Sequence, residues 1–328
     1  MRRRDFLVGL WGATVTSGVQ AQQAQKVHRI AIVHPAMPVA AMTNDPYFAA
    51  FLEKLRQLGY REGTNLVVAR YSGEGRTEHY AHLARDVVGS KPDVIFVLSS
   101  RMARHFKQAT TTIPIVGSTA DPIAQGLVPS LARPGGNVTG LTILNRALSG
   151  KRLELLKEAV PKLARVAVFY DPAAAGVARE VKEDLPVAAR ALRLTIQPWE
   201  VRVADGFEEV FAALNKERPD GLYFPSGPLV NANRRRIVGS ALKSRLPSVY
   251  STRAPVDAGG LMSYGADYDD LFRRAAVYVD KILKGAKPGD LPVQQATKFE
   301  LVINLTAAKQ IGLTLSPEFL SPANQVIK

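Results

Sequence analysis

Ten short apolar runs punctuate this chain, and their spacing limits the possible folds more than any other feature. In the first half they are RIAIV (near residue 30), NLVVARY (65–71), DVIFVLSS (93–100), IPIVGST (113–119) and VTGLTIL (138–144). In the second half come RVAVFYD (165–171), LTIQPWEV (194–201), GLYFPS (221–226), PSVYST (247–252) and GLMSYG (260–265). Most are rich in Val, Ile and Leu without polar alternation, the pattern of strands buried on both faces of a parallel sheet. Parallel strands need crossover connections, and the segments between the runs carry helix punctuation. NDPYFAAFLEKLRQLG offers Asp45 as N-cap, Pro46 in the first turn, Phe48, Phe51, Leu52 and Leu55 on one face, and Gly59 as a stop. ADYDDLFRRAAVYVDKILKG opens with acids and closes with lysines before Gly285, matching the helix dipole. Its apolar stripe is Leu271, Ala275, Tyr278, Val279 and Ile282.

Strand and helix thus alternate through two sets of five strands, with the break near 144–164. The fold class this predicts is α/β, in two Rossmann-like doubly wound lobes. The connection ILNRALSGKRLELLKEAVPKLA runs straight from one lobe into a helix of the next. Lobes joined by structured crossovers imply hinged closure over a cleft.

The opening, MRRRDFLVGLWGATVTSGVQAQQ, reads as an address. Three arginines precede a mildly apolar stretch that is too short and too polar to span a bilayer. Val19-Gln20-Ala21 fits a signal-peptidase site, so residues 1–21 are expected to be a signal peptide. Within it, RRDFL looks like the twin-arginine motif, although an ordinary secretory signal is the alternative. The chain has no Cys, so there is no residue for a lipid anchor after the leader and no thiol for catalysis or metal. A periplasmic location follows as the expectation. The formal charge is +14; removing residues 1–21 takes away three arginines and one aspartate and leaves +12. Such a balance raises nucleic acid as a partner. The densest cluster, however, is Arg234-Arg235-Arg236 with Lys243 and Arg245, beside Ile237, Val238 and Leu242, which reads as a solvated helix face. Without zinc-finger spacing or an aromatic RNA-binding motif, no nucleic-acid role is expected.

In open parallel sheets, ligands bind beyond the carboxyl ends of the strands. Those ends carry His34; Ser99, Ser100 and Arg101; Ser118, Thr119 and Asp121; Tyr170 and Asp171; Phe224 and Ser226; Tyr250 and Ser251; and Tyr264. Hydroxyls, rings and a few charges suit a zwitterion with an apolar part. The competing explanation is that strand-end Ser, Thr and Asp cap the helices that follow. Enzyme signatures fail in turn. SGKR (149–152) lacks the glycine and hydroxyl of a P-loop, RPGGNVTG lacks dinucleotide-loop spacing, and SALK (240–243) is an isolated S-x-x-K. His79 and His82 could share a helix face and a metal, but spacing places no third ligand. Neither catalysis, a cofactor nor a metal is expected.

Three segments carry a resemblance: FLEKLRQLGYREGTNLVVARYSGEG (51–75), DPIAQGLVPSLARPGGNVTGLT (121–142) and the long run from Gly259 to Leu315 beginning GGLMSYGADYDDLF. They resemble the ABC-transporter substrate-binding family that includes tryptophan- and tyrosine-binding proteins. The resemblance implies a type I periplasmic binding protein with three crossovers and a ligand in the cleft. It implies a first lobe of 27–143 plus about 265–290 and a second of 144–264 plus about 291–328. It further implies a monomeric solute-binding component of an ABC importer, delivering an amino-acid-like or carboxylate ligand to an inner-membrane permease. The alternative is a ligand-sensing partner of a sensor kinase or chemoreceptor. The candidate ligand-binding residues are Ser99, Ser100, Arg101, Thr119, Asp121, Tyr170, Asp171, Phe224, Ser226, Tyr250 and Tyr264. Two departures fall among them. Leu98-Ser99-Ser100-Arg101 stands where the family often has Gly-Thr. Asp171 places a carboxylate where an amide is common, and could take an ammonium or merely cap a turn. Arg101 would favour a carboxylate-bearing solute.

Overall fold

The computed structural model describes residues 26–328. The expected leader, its cleavage point and the RRDFL motif lie outside them. The first sheet contains β1 (His28–His34), β2 (Leu66–Ser72), β3 (Val94–Val97), β4 (Ile115–Thr119), β5 (Val138–Thr142) and, from far along the chain, Gln294–Gln295. The second contains β6 (Arg165–Tyr170), β7 (Thr195–Glu200), β8 (Gly221–Phe224), β9 (Ser248–Tyr250) and β10 (Met262–Ala266). Counting Gln294–Gln295 as β11, the second sheet is completed by β12 (Phe299–Asn304) and β13 (Gln325–Ile327). The strand orders are β11-β5-β4-β3-β1-β2 and β13-β12-β10-β9-β8-β6-β7. Every pairing is parallel except β10 with β12.

β1 shows why the apolar runs lack alternation. Side chains on a strand point alternately to opposite faces. Ile30 and Ile32 enter one core with Phe48, Phe51 and Phe272. Ala31 and Val33 enter another, with Tyr80, Met102 and Phe106. Both faces are therefore dry, and the register sets Ile30–Val33 against Val94–Val97 of β3. The second lobe repeats this: Val166 and Val168 of β6 lie in one core, Ala167 and Phe169 in another. Fully burying one such side chain stabilises by about 1.5–3 kcal/mol.

The helix Pro46–Gln57 starts where Asp45 accepts from the amides of Tyr47 (2.9 Å) and Phe48 (3.1 Å). It buries Phe51, whose ring stacks on Phe96 with centroids 4.7 Å apart. The helix Tyr268–Leu283 is capped by Asp267, which accepts from the Asp270 amide at 3.0 Å. It brings Leu271, Phe272, Ala275 and Val279 into that same core of the first lobe. The chain accordingly leaves the first sheet after Thr142, returns after Ala266, and crosses again between Gln295 and Phe299. One glycine is dictated by close approach. At Gly140 (φ +132°) a Cβ would fall 2.1 Å from the Gly117 carbonyl oxygen, so β4 and β5 can pair only with glycine there. Among the described residues no helix is long and apolar enough to cross a membrane.

Candidate functional site

The carboxyl ends of β1, β3 and β4 face those of β6 and β8 across a cleft of about 2230 Å³. Small-ligand sites usually enclose about 300–1,000 Å³, so the volume spans an open mouth as well as a floor.

Six of the predicted residues line this cleft: Ser99, Ser100, Arg101, Asp121, Asp171 and Ser226. Several are already occupied locally. Ser99 caps the helix Ser100–Ala109 by accepting from Met102. The Ser100 hydroxyl donates to the Ala120 carbonyl (2.8 Å) and accepts from the Ala120 amide (3.0 Å), tying the ends of β3 and β4 together. Asp171 accepts from the Ala173 amide at 2.8 Å in a tight turn. Arg101 reaches across the cleft and donates to the Ala173 carbonyl at 3.3 Å. Asp121 also faces the opposite lobe, 3.7 Å from Arg179 and 3.9 Å from Arg146. Arg146 in turn bonds Asp184 (2.6 Å) and Glu183 (2.9 Å), which completes an ionic strip along one side of the mouth. Of the basic trio, Arg234 and Arg235 border the mouth, while Arg236 is held by Asp205 and Glu208.

The other five lie elsewhere. Thr119 is buried within β4. Tyr170 packs in the second lobe and donates to Glu200 at 3.0 Å. Phe224 and Tyr250 stack in the core with centroids 5.2 Å apart. Tyr264 packs against Phe299, and Arg152 donates to its carbonyl. The physical reason is positional. Tyr170, Phe224 and Tyr250 are the last residues of their strands, where a side chain still points into a sheet face. The cleft is reached from the next positions on, at Asp171, Ser226 and Thr252.

The cleft also holds residues that the strand ends do not indicate. Tyr47 and Tyr268 follow the two N-caps, Asp45 and Asp267, and their rings lie 5.6 Å apart on the cleft wall. Phe272 lies 5.7 Å from Tyr47 and joins them there. Burial pushes the Tyr268 phenol up to about 12. It raises the Tyr47 phenol further, helped by Glu300 and opposed by Arg253. Both phenols are neutral donors at physiological pH. His34, which the end of β1 does indicate, accepts at Nδ1 from the amides of Ala36 (3.0 Å) and Met37 (2.7 Å), and burial lowers its pKa to about 4, so it too is neutral. Opposite Tyr47 stand Arg253 and Asp257, 3.1 Å apart, with Glu300 3.8 Å from Arg253. Burial raises the Glu300 carboxyl while Arg253 works against it. The second-lobe wall further includes Glu180, only 2% exposed. A sequence signal for the aromatics existed: an aromatic one or two residues after an N-cap lies in the first helical turn, at the cleft edge of the sheet. Glu180 gave none, because it sits in what reads as an ordinary charged helix.

Residues 31–327 match the family described as ABC transporter substrate binding protein. The chain belongs to that family. Among curated members of similar sequence is the tyrosine-binding protein of Clostridioides difficile (strain R20291), 26% identical over 264 residues, covering 80% of this chain and 75% of the relative. A conserved domain protein of Vibrio cholerae has a solved structure that superposes with a TM-score of 0.83 at 29% identity, covering 92% of this chain and 100% of that one. An ABC domain from Streptococcus pneumonia, solved in complex with L-Trp, gives 0.82 at 24% identity, covering 92% and 99%. The substrate-binding fold is thus the two-lobed type I periplasmic binding protein, and the cleft is where such a fold meets its solute.

Proposed function

We propose that this substrate-binding protein captures an aromatic amino acid, of the tyrosine or tryptophan kind, and delivers it to the permease of an ABC importer. The observation that carries this reading is the aromatic wall of Tyr47, Tyr268 and Phe272 standing opposite charged groups of the second lobe. Ring faces take an aromatic side chain by offset or edge contact, and the charges take a zwitterion's polar end. The named ligands of the C. difficile and S. pneumonia relatives support the same class. Ser99, Arg101 and Ser226 border the mouth, where they would meet polar groups as the lobes approach. In this reading the leader is removed after Ala21, and the protein acts in the periplasm as a monomer. The lobes move as two units, of 27–143 plus about 265–297 and of 144–264 plus about 298–328; the expected boundary near 290 moves later because β11 (Gln294–Gln295) pairs with β5 of the first sheet.

A thermal-melting screen of the purified protein against the amino acids and small carboxylates tests the ligand class. A ligand at 100 times its Kd adds about 2.7 kcal/mol of stability, an easily measured shift. The expected outcome is a shift with L-tyrosine, L-tryptophan or L-phenylalanine. A shift with an aliphatic dicarboxylate and with none of these three contradicts the reading.

A further inference from the structure

Beneath the second-lobe wall lies a charged pair that the aromatic wall does not require. Arg152, on the helix Ser149–Ala159, is 0% exposed, and Glu180 is 2% exposed. Arg152 Nη1 lies 3.6 Å from Glu180 Oε1 and donates to the Tyr223 hydroxyl at 3.1 Å. That hydroxyl donates in turn to Glu180 Oε1 at 2.5 Å. The rest of the guanidinium is held by the two chain segments that lead between the lobes. Nε donates to the Tyr264 carbonyl (2.7 Å) and Nη1 to the Asn145 carbonyl (2.8 Å).

Drawing two charges out of water costs several kcal/mol per ion, and well-packed apolar residues often replace such pairs without loss. The geometry shows what the pair supplies. Glu180 Oε1 is engaged twice, but among the described residues no hydrogen bond reaches Oε2. Yet Glu180 forms part of the cleft wall. Its backbone opens the π-helical turn Glu180–Asp184 inside a longer helix, and such turns are rare and recur at functional sites. The turn sinks Glu180 and Val181 into the interior and leaves Lys182 and Glu183 exposed. Burial raises the Glu180 carboxyl while Arg152 and Tyr223 pull it back, so a second cation at Oε2 would hold the charge in place. Tyr268 of the aromatic wall and Glu180 line the same cleft.

We propose that Glu180 Oε2 is the acceptor for the ligand's ammonium group, making Glu180 the residue that selects a zwitterion over a simple carboxylate. Arg152 positions it. The inference rests on the amino-acid reading above and names which group of that ligand the second lobe recognises. Among the other cleft carboxylates, Asp171 spends one oxygen on the Ala173 amide, Asp121 faces Arg146 and Arg179, and Asp257 is paired with Arg253.

Calorimetric titration tests this with four probes: L-tyrosine, L-tryptophan and their deaminated counterparts, 3-(4-hydroxyphenyl)propionate and indole-3-propionate. The intact protein should prefer the amino acids by about 10- to 100-fold, the range of a charge-assisted hydrogen bond. In Glu180→Gln that preference should collapse to within about threefold, through loss of amino-acid affinity and not gain of acid affinity. Because this change leaves Arg152 unpaired, Glu180→Gln with Arg152→Met is measured beside it. The same collapse is expected there, in a variant free of the unpaired charge. A preserved preference in whichever of the two folds, judged by circular dichroism, overturns the assignment of Glu180 and leaves the amino-acid reading standing. Equal binding of amino acids and acids by the intact protein does the same. Failure of the intact protein to bind any of the four overturns the amino-acid reading itself, and this inference with it.

Discussion

The two lobes present the same strand ends to one cleft yet furnish their walls differently. The first-lobe wall carries an aromatic, neutral patch of His34, Tyr47, Tyr268 and Phe272, with its charged Arg101 and Asp121 turned towards the opposite lobe. The second-lobe wall is charged: Arg253, Asp257 and Glu180 line it, with Glu300 paired to Arg253 and the buried Arg152 paired to Glu180. A zwitterion with a ring has the same two halves, and each wall matches one of them. The walls also differ in how they are held. Tyr47 and Tyr268 are set by their own helix caps, two residues and one residue away. Arg152 is set by the Tyr264 carbonyl, 112 residues along the chain. Each tyrosine is therefore placed by its own helix start, whereas the buried Arg152 is placed by tertiary contact, which gives their substitutions different signatures.

The largest effect should come from Arg152→Ala. It strands a buried carboxylate and releases both crossover segments, so urea unfolding should register a loss of about 3–5 kcal/mol. A loss below about 1 kcal/mol would mean that the second-lobe charge is solvated, and the contrast between the walls would fail.

Next comes acid sensitivity of the first lobe. His34 has a native pKa of about 4 against an ordinary 6.5, so the unfolded chain binds the proton more readily. Its contribution to stability is complete above pH 6.5 and is lost as pH falls towards 4, by roughly 3 kcal/mol in all. The carboxylates are common to both proteins, so the difference between the intact protein and His34→Asn isolates this term. Melting curves from pH 7 to 4 should converge as pH falls; curves that stay parallel would show that His34 is not held neutral.

Tyr47→Leu should act on binding more than on folding. It keeps the apolar bulk and removes the ring, so affinity for an aromatic amino acid should drop about tenfold, with smaller change for any aliphatic ligand. A uniform drop would place the ligand ring elsewhere. Smallest is Asp121→Asn, which weakens the ionic strip between the lobes at 3.7 and 3.9 Å. Partly exposed pairs are worth about 0–1 kcal/mol, so stability should hardly change, and whatever effect appears should fade in high salt.

Much of the fold was legible because the buried strands and helix caps are local patterns. β3 is an uninterrupted apolar run and β1, β4 and β6 are built around one, and Asp45 and Pro46 mark a helix start without reference to anything distant. β11 and β13, two and three residues long, left no pattern to read; only their partners define them. The site was legible by region and less so by residue. Strand ends led to Ser99, Ser100, Arg101, Asp121, Asp171 and Ser226 at the cleft. The same rule also selected Tyr170, Phe224 and Tyr250, one or two positions before the cleft is reached. Tyr47 and Tyr268 were read as parts of helices because their approach across the first lobe is a tertiary event. Glu180 was hidden by a π turn, which shifts a helix face by a fraction of a turn and has no sequence mark here.

The most direct measurement is a crystal structure of the purified protein soaked or grown with L-tyrosine. The predicted result is one molecule in the cleft, its ring against Tyr47 and Tyr268 and its nitrogen within hydrogen-bond distance of Glu180 Oε2. A tyrosine whose ring rests on the second lobe and whose nitrogen faces Asp171 would contradict the division of labour between the walls.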